Sequence, residues 1–196
     1  MQINDGTGGG HSAKVTGDGR VAVNADDGCL AAAKAGLLYS MSMATGSEQS
    51  LTITSNGGII MYLGNSSKAK KSLVIDSILV ASGAAGMICS VVTGMTEGSI
   101  ANADPIDALS TNTGYPLGHS AGYSAGVWDE VSDGITGFTN GVYAISTLLP
   151  AGGPVELVPS GRFIVAPGGN IAVFAKNAGE FTSAIRFYEI DEATGY

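Results

Sequence analysis

Leu37-Leu38-Tyr39-Ser40-Met41-Ser42-Met43-Ala44-Thr45 alternates with a period of two: Leu37, Tyr39, Met41 and Met43 fall on one side of an extended chain, Leu38, Ser40, Ser42 and Ala44 on the other. Successive side chains of a strand point to opposite faces, so this spacing suits a β-strand that lays one face on a core. The period returns in Leu51-Thr52-Ile53-Thr54, and residues 59–63 follow as a strand after the turn signal Asn56-Gly57-Gly58. It returns again in residues 73–81, with Leu73, Ile75, Ser77 and Leu79 on one side, and residues 87–93 resume as a strand beyond Ser82-Gly83-Ala84-Ala85-Gly86. The stretch 64–71, with Lys68, Lys70 and Lys71, reads as a polar loop. Residues 142–148, 162–166, 170–176 and 183–190 complete the set, punctuated by Pro150-Ala151-Gly152-Gly153-Pro154, Pro167-Gly168-Gly169 and Asn177-Ala178-Gly179. About nine or ten strands with turn signals at this spacing predict an all-β fold, an antiparallel β-sandwich of jelly-roll-like form.

Outward from that body the pattern changes twice. Residues 94–141 hold no sustained period and are expected to form a long irregular insertion, with one short strand at 135–138; loops of such length are usually functional or bound to a partner. Residues 1–36 form the other region. Residues 1–11 are rich in glycine and poor in apolar side chains, so they are expected to be an extended arm that orders only against something else. Residues 13–16 and 20–24 flank Gly17-Asp18-Gly19, a tight-turn signal that makes a small hairpin or hook. The alanines of residues 31–36 allow one helical turn or a connecting loop. The chain thus divides into an N-terminal arm and hook, 1–36, and a sandwich domain, 37–196, that carries the insertion.

Thirty glycines, 44% hydrophobic residues and only 13% charged residues fit many turns between apolar strands. Such a low charged fraction, against the roughly 25% of an ordinary soluble chain, suggests a surface that lies partly against partner subunits. The net charge is −8, and between Ser72 and Gly161 there is no Lys or Arg, while Asp76, Glu97, Asp104, Asp107, Asp129, Glu130, Asp133 and Glu156 all fall there. That acidity repels phosphate backbones and anionic lipid, so neither nucleic acid nor membrane is an expected partner. Cys29 and Cys89 lack the paired spacing of a zinc or redox site and read as free thiols in a reducing compartment. No signal-peptide pattern opens the sequence, and no apolar run approaches the roughly 20 residues of a membrane span, which places synthesis in a cytoplasm.

The motifs that could carry catalysis fail on context. Gly118-His119-Ser120-Ala121-Gly122 fits the nucleophile elbow of α/β-hydrolases, but no strand-to-helix pattern surrounds it and no histidine follows His119. Gly6-Thr7-Gly8-Gly9-Gly10 resembles a phosphate loop, yet Lys14 lies four residues beyond the last glycine. A dinucleotide fingerprint fails too, because His11 stands where its third glycine belongs. His11 and His119 have no ligand partner at metal spacing, and Asp104, Asp107, Asp129 and Glu130 read as solvated loop acids. The expectation is a non-enzyme with no cofactor and no metal. Trp128 reads as a local anchor of the insertion or, as tryptophans at interfaces often are, a subunit contact.

The opening run carries a family resemblance. Asp5-Gly6-Thr7-Gly8, then Ala13-Lys14-Val15, then Asp18-Gly19-Arg20-Val21-Ala22-Val23 resembles the start of small virion structural proteins of tailed bacteriophages, of the head decoration or cement type. Val21 stands where leucine is commoner in that family. Tyr62-Leu63-Gly64-Asn65, Leu73-Val74-Ile75-Asp76-Ser77-Ile78 and Leu149-Pro150-Ala151-Gly152-Gly153 are similar to its strand and turn order. The resemblance implies a jelly-roll-like subunit on a capsid surface, self-associating as a homotrimer and contacting the major capsid protein. On that reading the arm adds backbone hydrogen bonds at a sheet edge, with Asp5, Gly6, Thr7 and Gly8 in the contact and Lys14 and Arg20 as charged anchors. A receptor-binding, tail or fibre jelly roll is the first alternative, with the insertion as recognition surface. A carbohydrate-active or esterase-like hydrolase using Ser120 is the second.

Overall fold

The computed structural model describes residues 3–4, 12–15, 21–22, 32–43, 51–53, 57–83, 86–111, 123–129, 134–158, 163–176 and 179–191. Near the N-terminus β1 (Ile3–Asn4), β2 (Ser12–Val15) and β3 (Val21–Ala22) pair antiparallel in the order β1-β2-β3. Lys14 stands opposite Ala22 and Val15 opposite Val21, the pairing of the expected hairpin; its turn, Gly17-Asp18-Gly19, lies outside the described residues. Ile3 stands opposite Ala13, so two residues of the expected arm pair with the hairpin. Residues 32–34 make the single helical turn that the alanines allow. The Leu37 N–H donates to the Ala32 carbonyl at 2.8 Å, and Gly36 at φ 73° turns the chain out of it, a conformation that glycine adopts without steric cost.

The body is built of β4 (Leu38–Ser42), β5 (Leu51–Ile53), β6 (Gly58–Asn65), β7 (Lys71–Ser82) and β8 (Met87–Thr93). There follow β9 (Thr96–Ala101), β10 (Ala103–Pro105), β11 (Leu109–Ser110), β12 (Tyr123–Trp128) and β13 (Thr136–Thr139). The chain closes with β14 (Val142–Leu149), β15 (Val155–Val158), β16 (Phe163–Val165), β17 (Asn170–Lys176) and β18 (Gly179–Asp191). One sheet runs β10-β12-β6-β17-β8-β14 and the other β11-β4-β18-β7-β15, with β16 also on β7 and β5 also on β18. All strand pairs among the described residues are antiparallel, and the two sheets pack face to face. The fold is an all-β antiparallel sandwich.

The core lies between the sheets because each strand turns its alternate apolar residues inward. Met61 and Leu63 of β6, Cys89 and Val91 of β8, and Ile171, Val173 and Ala175 of β17 meet Met41 of β4, Ile75, Ile78 and Val80 of β7, and Phe181, Ile185 and Phe187 of β18. β7 departs from the expected alternation. Leu73 and Ile75 are in the core as the period requires, but Leu79 is 36% exposed, while Ile78 and Val80 are buried. A β-bulge against β18, between Arg186 and Phe187, opposes Ser77 and Ile75 and leaves Asp76 as the extra residue, which moves every later side chain to the other face.

The described residues of the span 94–141 are largely strands. They supply five strands: β12 extends one sheet beyond β6, β10 extends it again, and β11 adds to β4 in the opposite sheet. β9 and β13 pair with each other, and the Ile135–Ile59 bridge and the Tyr62–Phe138 ring contact, 5.2 Å between centroids, fix this ribbon over the outer face of β6. Asn102 and Asn140, both at positive φ (60° and 61°), turn the corners into β10 and towards β14. These strands escape a periodicity search because most are two to four residues long or glycine-rich.

Candidate interaction surface

Strand position decides which backbone groups are left for a partner. Among the described residues the sandwich has four lateral margins, and three are blunted. β10 is three residues long and contains Asp104 and Pro105; β11 has two residues; β15 has four, with Glu156 beside a bulge, next to the three-residue β16. Short strands, charge, proline and bulges are the usual devices that keep an edge from pairing with another chain.

The fourth margin, β14, has none but a bulge near one end. It is eight residues long, Val142-Tyr143-Ala144-Ile145-Ser146-Thr147-Leu148-Leu149, and on the side away from β8 it pairs with no strand among the described residues. The bulge between Tyr143 and Ile145 leaves residues 145–149 in regular register with residues 87–91. Val142 (64%), Tyr143 (58%) and Leu148 (65%) are the most exposed large apolar side chains among the described residues. From Gly134 to Val155 there is no Asp, Glu, Lys, Arg or His, nor any from Ser77 to Thr96, so β14 and its neighbour β8 are both free of charge.

Behind the edge the surface mixes aromatic with small uncharged polar side chains. Tyr143 packs edge-on against Phe174, 5.7 Å between centroids at 87°, and Ser146 shares a 2.7 Å hydrogen bond with Ser90 on β8. Between this pair and the β9–β13 ribbon runs a crevice of about 250 Å³, lined among others by Ile59, Val92, Met95, Phe138 and Tyr143. Asn170 holds its rim: the side-chain oxygen accepts from the Met95 N–H at 3.0 Å and the side-chain nitrogen donates to the Met95 carbonyl at 2.9 Å. Beneath, Cys89 faces the core opposite Thr147, and burial pushes its thiol up to about 12, which keeps it protonated and unreactive.

No protein-family model matches this sequence, and no curated protein is significantly similar to it.

Of the residues expected to make contacts, Asp5, Gly6, Thr7, Gly8 and Arg20 lie outside the described residues, as do His11 and the Gly118–Gly122 motif. Lys14 stands in β2 of the N-terminal sheet. Trp128 ends β12 opposite Ala103, four strand positions from β14 in the same sheet, or about 19 Å at the usual strand spacing. The structure therefore does not bring Trp128 to the exposed edge. Tyr143 and Leu148 were not singled out by sequence reasoning. The signal available for them was the absence of any charge along an eight-residue strand.

Proposed function

We propose that this chain is a structural subunit that acts by association, and that it decorates or cements the head of a tailed bacteriophage. The association part is carried by one observation, the long uncharged edge strand β14 with Val142, Tyr143 and Leu148 exposed. Covering such an edge satisfies open backbone groups and removes apolar surface from water. The virion setting rests on the resemblance of Asp5-Gly6-Thr7-Gly8, Ala13-Lys14-Val15 and Asp18-Gly19-Arg20-Val21 to the decoration family. The jelly-roll form of the sandwich is supported by the interleaving of early and late strands, β4-β18-β7-β15 in one sheet and β6-β17-β8-β14 in the other.

In this reading the N-terminal segment grips the major capsid protein on the outer capsid surface, and many equivalent sites around the shell multiply a modest single-site affinity. The subunit binds, and neither metal nor cofactor takes part. Deleting residues 1–20 is the test, with binding of the purified protein to undecorated heads measured by co-sedimentation. The truncated chain is expected to keep its far-ultraviolet spectrum and thermal transition and to lose head binding. Retained binding would overturn the assigned role of the segment, and wild-type protein that ignores heads would overturn the virion setting.

A further inference from the structure

We propose that β14 is a homodimer interface, in which the edge strands of two copies pair antiparallel across a two-fold axis and join the two six-stranded sheets into one. The proposal deepens the self-association just described and rests on it, but not on a capsid partner.

The choice of a second copy as occupant follows from charge. Each chain carries −8, so two copies repel wherever their acidic surfaces face each other. The margin formed by β14 and β8 is free of charge along both strands, and so is the place where two copies meet with least repulsion. A basic partner would find no carboxylate there to bind, and an acidic one no lysine. An identical uncharged apolar edge is complementary to it by construction, and a two-fold contact of this kind is the commonest way that chains self-associate. Among the described residues the three other margins end in strands of two to four residues, β10, β11 and β5, and β15 and β16, and offer no equivalent strand.

Geometry narrows the pairing. Residues opposite each other in an antiparallel pair share a face, so a two-fold axis must pass through a residue of the regular run 145–149. Centred on Thr147, it uses all five: Ile145 lies opposite Leu149 of the partner subunit on the core side, and Ser146 opposite Leu148 of the partner subunit on the outer side. The exposed Leu148 side chains then cover the outer face near Ser146 and Ser90 in both copies. A two-fold pair built this way is the elementary unit, in place of the three-fold one that the family resemblance implies.

Sedimentation equilibrium of the full chain tests it. The wild type is expected at twice the chain mass, and Leu148→Lys, which sets two ammonium groups into the joint, is expected to weaken dimerisation at least about tenfold. Because Leu148 is 65% exposed in the single chain, the variant should keep the wild-type far-ultraviolet spectrum and, at dilutions where both are monomeric, the same denaturant midpoint. Ile164→Lys, at a 47% exposed position on β16 of the other sheet, should leave the dimer intact. A monomeric or trimeric wild type, equal weakening by both variants, or an unchanged Leu148→Lys dimer would each overturn the proposal. A dimer that ignores phage heads would overturn the virion setting and leave the pair standing; a head-binding monomer would do the reverse.

Discussion

Asn170 shows how one buried amide can fix a long insertion to the sandwich. Its side chain is 5% exposed and makes both hydrogen bonds of a strand pair with the backbone of Met95, at the point where the chain leaves β8. Asn65 works in the same manner at the end of β6, donating to the carbonyls of Lys71 and Val165 at 2.8 and 3.0 Å. Replacing Asn170 with alanine strands the Met95 N–H and carbonyl without partners. The loss should be about 2–4 kcal/mol of unfolding free energy, read from urea denaturation. Neither asparagine was legible as structural in the sequence, because an asparagine beside glycine reads first as a turn residue.

At the scale of elements, the bulges and the ribbon set which side chains meet solvent. The ribbon β9–β13 depends on Gly137, which sits at φ 96° within β13, where an added Cβ would run into the Ser99 carbonyl oxygen. Gly137→Ala should therefore cost about 1–3 kcal/mol and speed hydrogen exchange in residues 96–101. Gly152→Ala is the comparison: φ is positive there too, at 70°, but a Cβ would meet nothing within 4 Å, so only the backbone cost of about 1 kcal/mol is expected. Equal effects at the two sites would mean that the Ser99 contact is not what holds the ribbon. The strand positions at 87–93 and 170–176 were legible to the residue, since each is a short apolar stretch bounded by glycine-rich turn signals, the mark of a strand buried on both faces. The exposure of Leu79 was not, because a single bulge residue, Asp76, inverts the pattern after it and leaves no mark in the period itself.

Across the whole molecule, ionisation of the core tyrosines links stability to pH. Burial is the first cause that raises Tyr39, Tyr62 and Tyr123 above the ordinary phenol value, with Glu189 adding to it at Tyr39, Glu97 at Tyr62 and Asp107 at Tyr123. The backbone hydrogen bond from Ala108 to the Tyr123 oxygen, 2.7 Å, works the other way. For groups raised in the folded state, the unfolded chain gives up its protons first, so the folded form binds more of them above the unfolded value. The stability these neutral rings lend is fully present below about pH 10 and is lost as pH rises through the higher folded values. Ultraviolet titration at the phenolate band should show these tyrosines ionising later than in denatured protein, with the thermal midpoint falling over the same range. Coincident titration in native and denatured protein would remove this account.

What the sequence by itself determined is the class of the fold: the period of two in residues 37–45, 51–54 and 73–81, with turn signals between the other apolar stretches, already called for a chain of strands. It also held the charge-free stretches from Ser77 to Thr96 and from Gly134 to Val155. Only the tertiary structure decided that these two stretches lie side by side at an unblunted edge, that the span 94–141 builds margins of both sheets, and that Trp128 stands at the far side. The physical reason is that a strand's pattern reports which faces are buried, whereas its place in the sheet is set by hydrogen bonds to strands far away in the chain. Alternation is the same for a central strand and for an edge, so the surface on which the proposed function rests becomes visible only once the pairing is known.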